Sequence, residues 1–159
     1  MKPVVYHGAS YNKSLKTQKH SYDDHTEYEH FFELYNFITP GENIEAIGNL
    51  AIYFESNQTV TIDMQAFLYE PNNDLYTRAG NFESFTIKSG KTRLDFPMSI
   101  SNMFERRNFN RDRYDLRIYI IFKNEHNAPP ENLELIVDEL WAELYGTDIL
   151  DHNPSPPPS

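Results

Sequence analysis

Three histidines, His20, His25 and His30, stand five residues apart near the amino end, with Asp23, Asp24, Glu27 and Glu29 between them. Imidazole plus carboxylate is the ligand set of zinc, iron or manganese, so a metal-dependent enzyme is one chemistry this stretch could support. The spacing works against it. Five residues turn a helix by roughly 140° net, which spreads the rings around the axis, and on a strand an odd offset puts neighbours on opposite faces. His25 and Glu29 share an i, i+4 relation. A solvated lead-in to the first core segment is the simpler reading, and no metal or cofactor is assigned.

A second constellation lies between Ser101 and Tyr114. Arg106, Arg107, Arg111 and Arg113, with Arg117 adjoining, face Glu105, Asp112 and Asp115 for a net +2, and they are interleaved with Phe104, Phe109 and Tyr114. An arginine fork stacks on rings and grips carboxylates bidentately, and this mixture is the composition of contact hot spots between proteins. The same arginines could pair with the chain's own acids. Nucleic acid is disfavoured as a partner, because the formal net charge is -10 and acids sit inside the loop itself. That charge is uneven: residues 1–20 hold Lys2, Lys13, Lys16 and Lys19 and no acid, a basic arm suited to an acidic neighbour.

Outward-facing Tyr53, Tyr69, Tyr76 and Tyr119 offer apolar ring faces of the kind that take carbohydrate. Familiar catalytic signatures are missing from the 159 residues. There is no cysteine, no Gly-x-Ser-x-Gly elbow and no phosphate-cradling glycine loop, and glycine occurs only 6 times. No apolar run nears the ~18 residues of a membrane-spanning helix, and Met1 to Lys13 lacks a signal-peptide core, so a soluble chain is expected.

The elements that must position these groups read mostly as strands. Val60, Ile62, Met64, Ala66 and Leu68 alternate with polar residues, as do Leu116, Ile118, Ile120 and Phe122, and Leu94, Phe96, Met98 and Ile100 around Pro97. Ser56-Asn57-Gln58 and Ser89-Gly90 look like hairpin turns. Residues 28–38 fit either period, and their aromatic density favours a strand. One segment changes period: Leu133, Ile136, Val137, Leu140, Trp141 and Leu144 follow helical spacing between Pro130 and Gly146, which predicts an amphipathic helix over about 130–145 with Trp141 in the core.

Together these features predict a mainly β protein, an antiparallel β-sandwich of immunoglobulin-like or jelly-roll type with one carboxyl-terminal amphipathic α-helix. The expected organisation is a basic arm over 1–24, a sandwich domain over 25–150 and a proline-rich tail over 151–159. The function expected is that of a non-catalytic structural or interaction module. It would assemble with itself, as a homo-oligomer, or with a larger complex such as a virion or appendage. A carbohydrate-binding module and an enzyme using His20, His25 and His30 are the alternatives.

Overall fold

The computed structural model of the chain describes residues 4–8, 13–101 and 114–150. Among the described residues ten strands follow in chain order: β1 Val4–Gly8, β2 Lys13–Ser14, β3 Lys16–Ser21, β4 Thr26–Ser56, β5 Val60–Glu70, β6 Leu75–Arg78, β7 Glu83–Ile87, β8 Gly90–Ser101, β9 Tyr114–Phe122 and β10 Leu135–Leu150. A single 3₁₀ turn, Glu125–Asn127, is the one helical element among the described residues. All the strand pairings are antiparallel.

The long β4 organises the molecule because its two ends belong to different sheets. Its carboxyl-terminal part lies between β8 and β10, with β1 and β2 on the far side of β10; this is sheet I. Its amino-terminal part lies between β3 and β9, followed outward by β5 and then β6 and β7; this is sheet II. Alternation along each strand turns one apolar row inward, and the two rows form one shared core. Sheet I contributes Leu50, Ile52, Phe54, Phe96, Val137 and Leu140, and sheet II contributes Phe32, Leu34, Ile62, Met64, Leu116 and Ile118. The result is the expected antiparallel, sandwich-like architecture, and residues 28–38 are strand.

The carboxyl-terminal helix is not present: Leu135–Leu150 is a strand. A β-bulge explains why its sequence looks helical. Val137 pairs with Phe54 but Glu139 with Tyr53, so β10 carries one extra residue at Asp138. The inward row therefore changes parity, from Leu135 and Val137 before the bulge to Leu140, Ala142 and Leu144 after it. The three-residue step from 137 to 140 imitates a helical turn. Trp141 falls on the outward row, 39% exposed, rather than in the core.

Two turns also differ from expectation. Ser56-Asn57-Gln58 joins β4 of sheet I to β5 of sheet II, and Ser89-Gly90 joins β7 of sheet II to β8 of sheet I, so both are arches between sheets rather than hairpins. The first arch is stapled from outside: Asn57 Nδ2 donates to the Asn132 carbonyl at 2.8 Å and Gln58 Nε2 to the Glu131 carbonyl at 2.8 Å. The Pro71 to Asp74 turn does make a hairpin, closed by Glu70 opposite Leu75. In sheet I, β4 and β10 approach so closely at Gly48 that a Cβ there would strike the Glu143 carbonyl, which is why a residue without one stands at that position.

Candidate functional site

The residues with most to offer chemically converge on the outer face of sheet II. Here β9 turns outward Arg117, Tyr119 and Ile121, β5 turns outward Gln65, Phe67 and Tyr69, β4 brings Glu29, Phe31 and Glu33, and β6 brings Tyr76. The register makes these cross-strand neighbours: Tyr119 lies between Phe31 and Gln65, Arg117 between Glu33 and Phe67, and Tyr69 opposite Tyr76.

Arg117 is the centre of this face. Its guanidinium lies 4.7 Å from the Phe31 ring, 4.0 Å from Tyr69 and 5.5 Å from Tyr76. Nη2 donates to Glu33 Oε2 at 3.2 Å, while Nη1 donates to Tyr76 Oη at 2.5 Å and Tyr119 Oη at 3.1 Å. Lys16, from β3, holds the other Glu33 oxygen at 2.9 Å and donates to Tyr35 Oη at 2.8 Å. Side-chain exposure is 12% for Arg117 and 8% for Glu33, so this ion pair is largely dry. Burial alone would pull the Arg117 pKa down, but the Tyr119 hydrogen bond and the Glu33 charge outweigh it, and the guanidinium is held above its ordinary value. Burial, reinforced by the hydrogen bond to Tyr76, pushes the Tyr119 phenol up, against the opposing pull of Arg117.

Beside this framework opens a cleft of about 620 Å³. Phe67, Tyr76 and Tyr119 form one wall, with the Tyr119 ring edge-on to Phe67 at 5.6 Å. Glu27, Glu29, Tyr28, His20, Gln65 and Ile121 also line it. Tyr76 is 40% exposed, which leaves ring surface open to a ligand. Phe67 was not singled out by sequence reasoning, and Glu29 entered it only among the carboxylates beside the histidines. The signal was there in Phe67 and Tyr69, which occupy the outward parity of β5 although solvent-facing positions need no rings.

The three histidines do not converge. His20 Nε2 lies 3.4 Å from Glu29, and His25 sits between Asp24 at 2.5 Å and Glu27 at 3.2 Å, partners that raise its pKa, Asp24 foremost. His30 is buried on the inner side, edge-on to Phe122 at 5.0 Å. Its Nε2 donates to the Asn127 carbonyl at 3.2 Å, which leaves Nδ1 to accept from the Thr17 hydroxyl at 3.1 Å, and burial lowers its pKa. Among the described residues no group of three His, Asp or Glu side chains is placed to hold a metal ion.

Of the anticipated contact loop, Phe104, Arg106, Arg107, Phe109, Arg111 and Arg113 lie outside the described residues. Tyr114 is described, and it is 1% exposed, with its hydroxyl 3.4 Å from Glu70 Oε2. It anchors the end of β9 in the core. Two lysines of the basic arm, both exposed, reach sheet II: Lys16 holds Glu33, and the Lys19 ammonium lies 5.9 Å over the Tyr28 ring. Lys13 stands in β2 opposite Val137, and Lys2 lies outside the described residues. Tyr69, Tyr76 and Tyr119 come together, whereas Tyr53 is on the outer face of sheet I under Arg93. Among the described residues no helix is long and apolar enough to cross a membrane.

No family model matches the chain, and no curated protein matches it in sequence. Among solved structures it is similar to a chain of the T13 IBDV viral particle, with a TM-score of 0.52 and 8% identity over 91% of this chain and 31% of that one. It is also similar to a chain of the infectious bursal disease virus Gx strain, with a TM-score of 0.48 and 10% identity over 91% of this chain and 33% of that one. A third similarity is to CBM28, a non-crystalline cellulose specific carbohydrate-binding module, with a TM-score of 0.35 and 5% identity over 94% of this chain and 88% of that one. This chain thus spans about a third of the length of the two viral chains. At such identities the likeness to the T13 particle chain is one of fold, and the fold in common is the antiparallel β-sandwich.

Proposed function

We propose that the chain is a non-catalytic interaction module that binds carbohydrate in the cleft on the outer face of sheet II. The observation that carries this reading is the pairing of three rings, Phe67, Tyr76 and Tyr119, with Glu27, Glu29 and Gln65 around one space of about 620 Å³. A pyranose has C–H faces that suit aromatic rings and a rim of hydroxyls that suits carboxylates and amides. The volume falls within the roughly 300–1,000 Å³ of small-molecule sites, and Arg117 holds Tyr76 and Tyr119 in place beforehand, which reduces the cost of ordering them. The test is a glycan array followed by calorimetry on the glycans retained. Tyr76→Ala and Phe67→Ala should each weaken binding about tenfold or more, while Tyr53→Ala on the other sheet leaves it unchanged. Retention that ignores both substitutions would refute the assignment.

A second reading, assembly with itself or with a larger complex such as a virion or appendage, is favoured by the opposite surface. Trp141, Tyr145 and Ile47 are exposed on sheet I, a row of large apolar groups that suits a protein partner. The two readings are compatible, with one face for sugar and the other for the particle. Sedimentation velocity on the full chain tests the second, with Trp141→Glu expected to dissolve any oligomer. The segment from Phe104 to Arg113 stays a proposed protein contact. We also propose the division into a basic arm over 1–24, a folded domain over 25–150 and a tail over 151–159. Of the two sandwich variants, we favour the jelly-roll, supported by the pairing of the first strand with the last.

A further inference from the structure

Charge bookkeeping around the cleft says which sugars it can accept. Its charged lining is acidic: Glu27 and Glu29, with His20 beside Glu29 at 3.4 Å. Among the described residues the nearby cations are already engaged, Arg78 opposite Phe67 included. Arg117 spends its terminal nitrogens on Glu33, Tyr76 and Tyr119, Lys16 spends its ammonium on Glu33 and Tyr35, and Lys19 rests over the Tyr28 ring. Recognition of a uronate or sulfate calls for an arginine or lysine able to turn toward it. Here an entering anion would meet two carboxylates between apolar walls, where repulsion is less screened than in open water. The formal charge of -10 on the whole chain adds a longer-range repulsion of polyanions.

A neutral sugar meets the opposite situation. Hydroxyl protons need acceptors, and a carboxylate offers about four lone-pair sites, of which His20 takes one from Glu29. Glu29 precedes Phe31, the cross-strand neighbour of Tyr119, by two residues along β4, which places it on the same face as the rings. We infer that the cleft selects uncharged glycans over acidic ones, and that Glu29 is the residue that sets this preference. This rests on the carbohydrate reading above and names the ligand class it implies.

The test is calorimetry on the full chain with two sets of hexasaccharide probes, at about 20 mM and about 150 mM salt so that screening is varied. The neutral set is cello-, xylo- and mannohexaose; the acidic set is oligogalacturonate and hyaluronan. At least one neutral probe should bind, with every acidic probe at least tenfold weaker, and the gap should narrow at the higher salt. Glu29→Gln keeps the shape and removes the charge. It should weaken the neutral probe about tenfold, because a hydrogen bond to a charged acceptor is lost, and should improve the acidic probes. The half-exposed position of Glu29 makes this variant safe for folding, and Arg93→Ala, on the outer face of sheet I, should leave the ratio unchanged. A preference for acidic probes, or a ratio that Glu29→Gln does not move, overturns the charge selection alone. Silence from every probe overturns it together with the carbohydrate reading.

Discussion

Arg93 and Arg117 both stand on outward faces of the sandwich, each beside a tyrosine and a carboxylate, yet they are built into the molecule in different ways. Arg93 belongs to β8, which among the described residues pairs only with β4. Its guanidinium lies 5.7 Å over Tyr53 and reaches Asp95, two residues along its own strand, at 3.0 Å; the two side chains are 54% and 55% exposed. Arg117 belongs to β9, flanked on both sides by β4 and β5, so rings arrive from neighbouring strands and close over it. The residue types are the same. What differs is the number of neighbouring strands, and that decides whether an arginine remains a solvated decoration or becomes the framework of a binding face.

Arginine removal breaks or sustains this contrast most directly. Arg117→Ala leaves Glu33 buried with Lys16 as its remaining ion-pair partner, and breaking a buried pair in this way costs about 3–5 kcal/mol. The urea midpoint should fall markedly. Arg93→Ala, at an exposed pair on the edge, should leave the midpoint where it is. Equal effects from the two substitutions would end the comparison. A double variant sharpens it: replacing Arg117 by Met and Glu33 by Leu together should restore much of the stability lost by Arg117→Ala, because no lone charge is then left inside. It should not restore glycan binding, since Tyr76 and Tyr119 lose the donor that holds them.

The outer face of sheet I supplies the next test, through two adjacent residues of β10. Leu140 is fully buried and Trp141 faces out, so Leu140→Ala should cost about 2–5 kcal/mol and Trp141→Ala less than about 1 kcal/mol. On an amphipathic helix both would be core residues and both substitutions would be severe. Thermal or urea denaturation of the two variants therefore reads the bulge at Asp138 directly.

That bulge also marks the limit of what one sequence conveys. β5 and β9 are legible because their alternation runs unbroken from Ile62 to Leu68 and from Leu116 to Phe122. β10 is not, because one inserted residue switches the inward row from Leu135 and Val137 to Leu140, Ala142 and Leu144, and the break has the period of a helix. The arches at Ser56 and Ser89 have the composition of hairpin turns; which sheet the next strand joins is decided by distant partners. The candidate site shows the same division. That Tyr69, Tyr76 and Tyr119 point outward follows from parity. That they meet, while Tyr53 does not join them, follows from the register of β5 against β6 and β9, and no local signal carries it.

The smallest effect, and the finest test of the contrast, is expected under acid. Asp63 on sheet II and Asp95 on sheet I both have lowered pKa values. Burial opposes the shift at Asp63, but Lys123 at 2.7 Å and the Ser84 hydroxyl outweigh it; at Asp95 the cause is Asn49 at 2.9 Å first and then Arg93. A carboxyl held below its unfolded value stabilises the fold at pH above that unfolded value, near 3.9, and the contribution fades as pH falls through the lower folded value. Both aspartates thus steepen the loss of stability below about pH 4. The Asp63 side chain is buried whereas Asp95 is open to water, so Asp63→Asn should flatten the acid limb of a melting-temperature profile more than Asp95→Asn does. If Asp95→Asn flattened it equally, exposure would not be what separates the two faces, and the difference between Arg93 and Arg117 would need another cause.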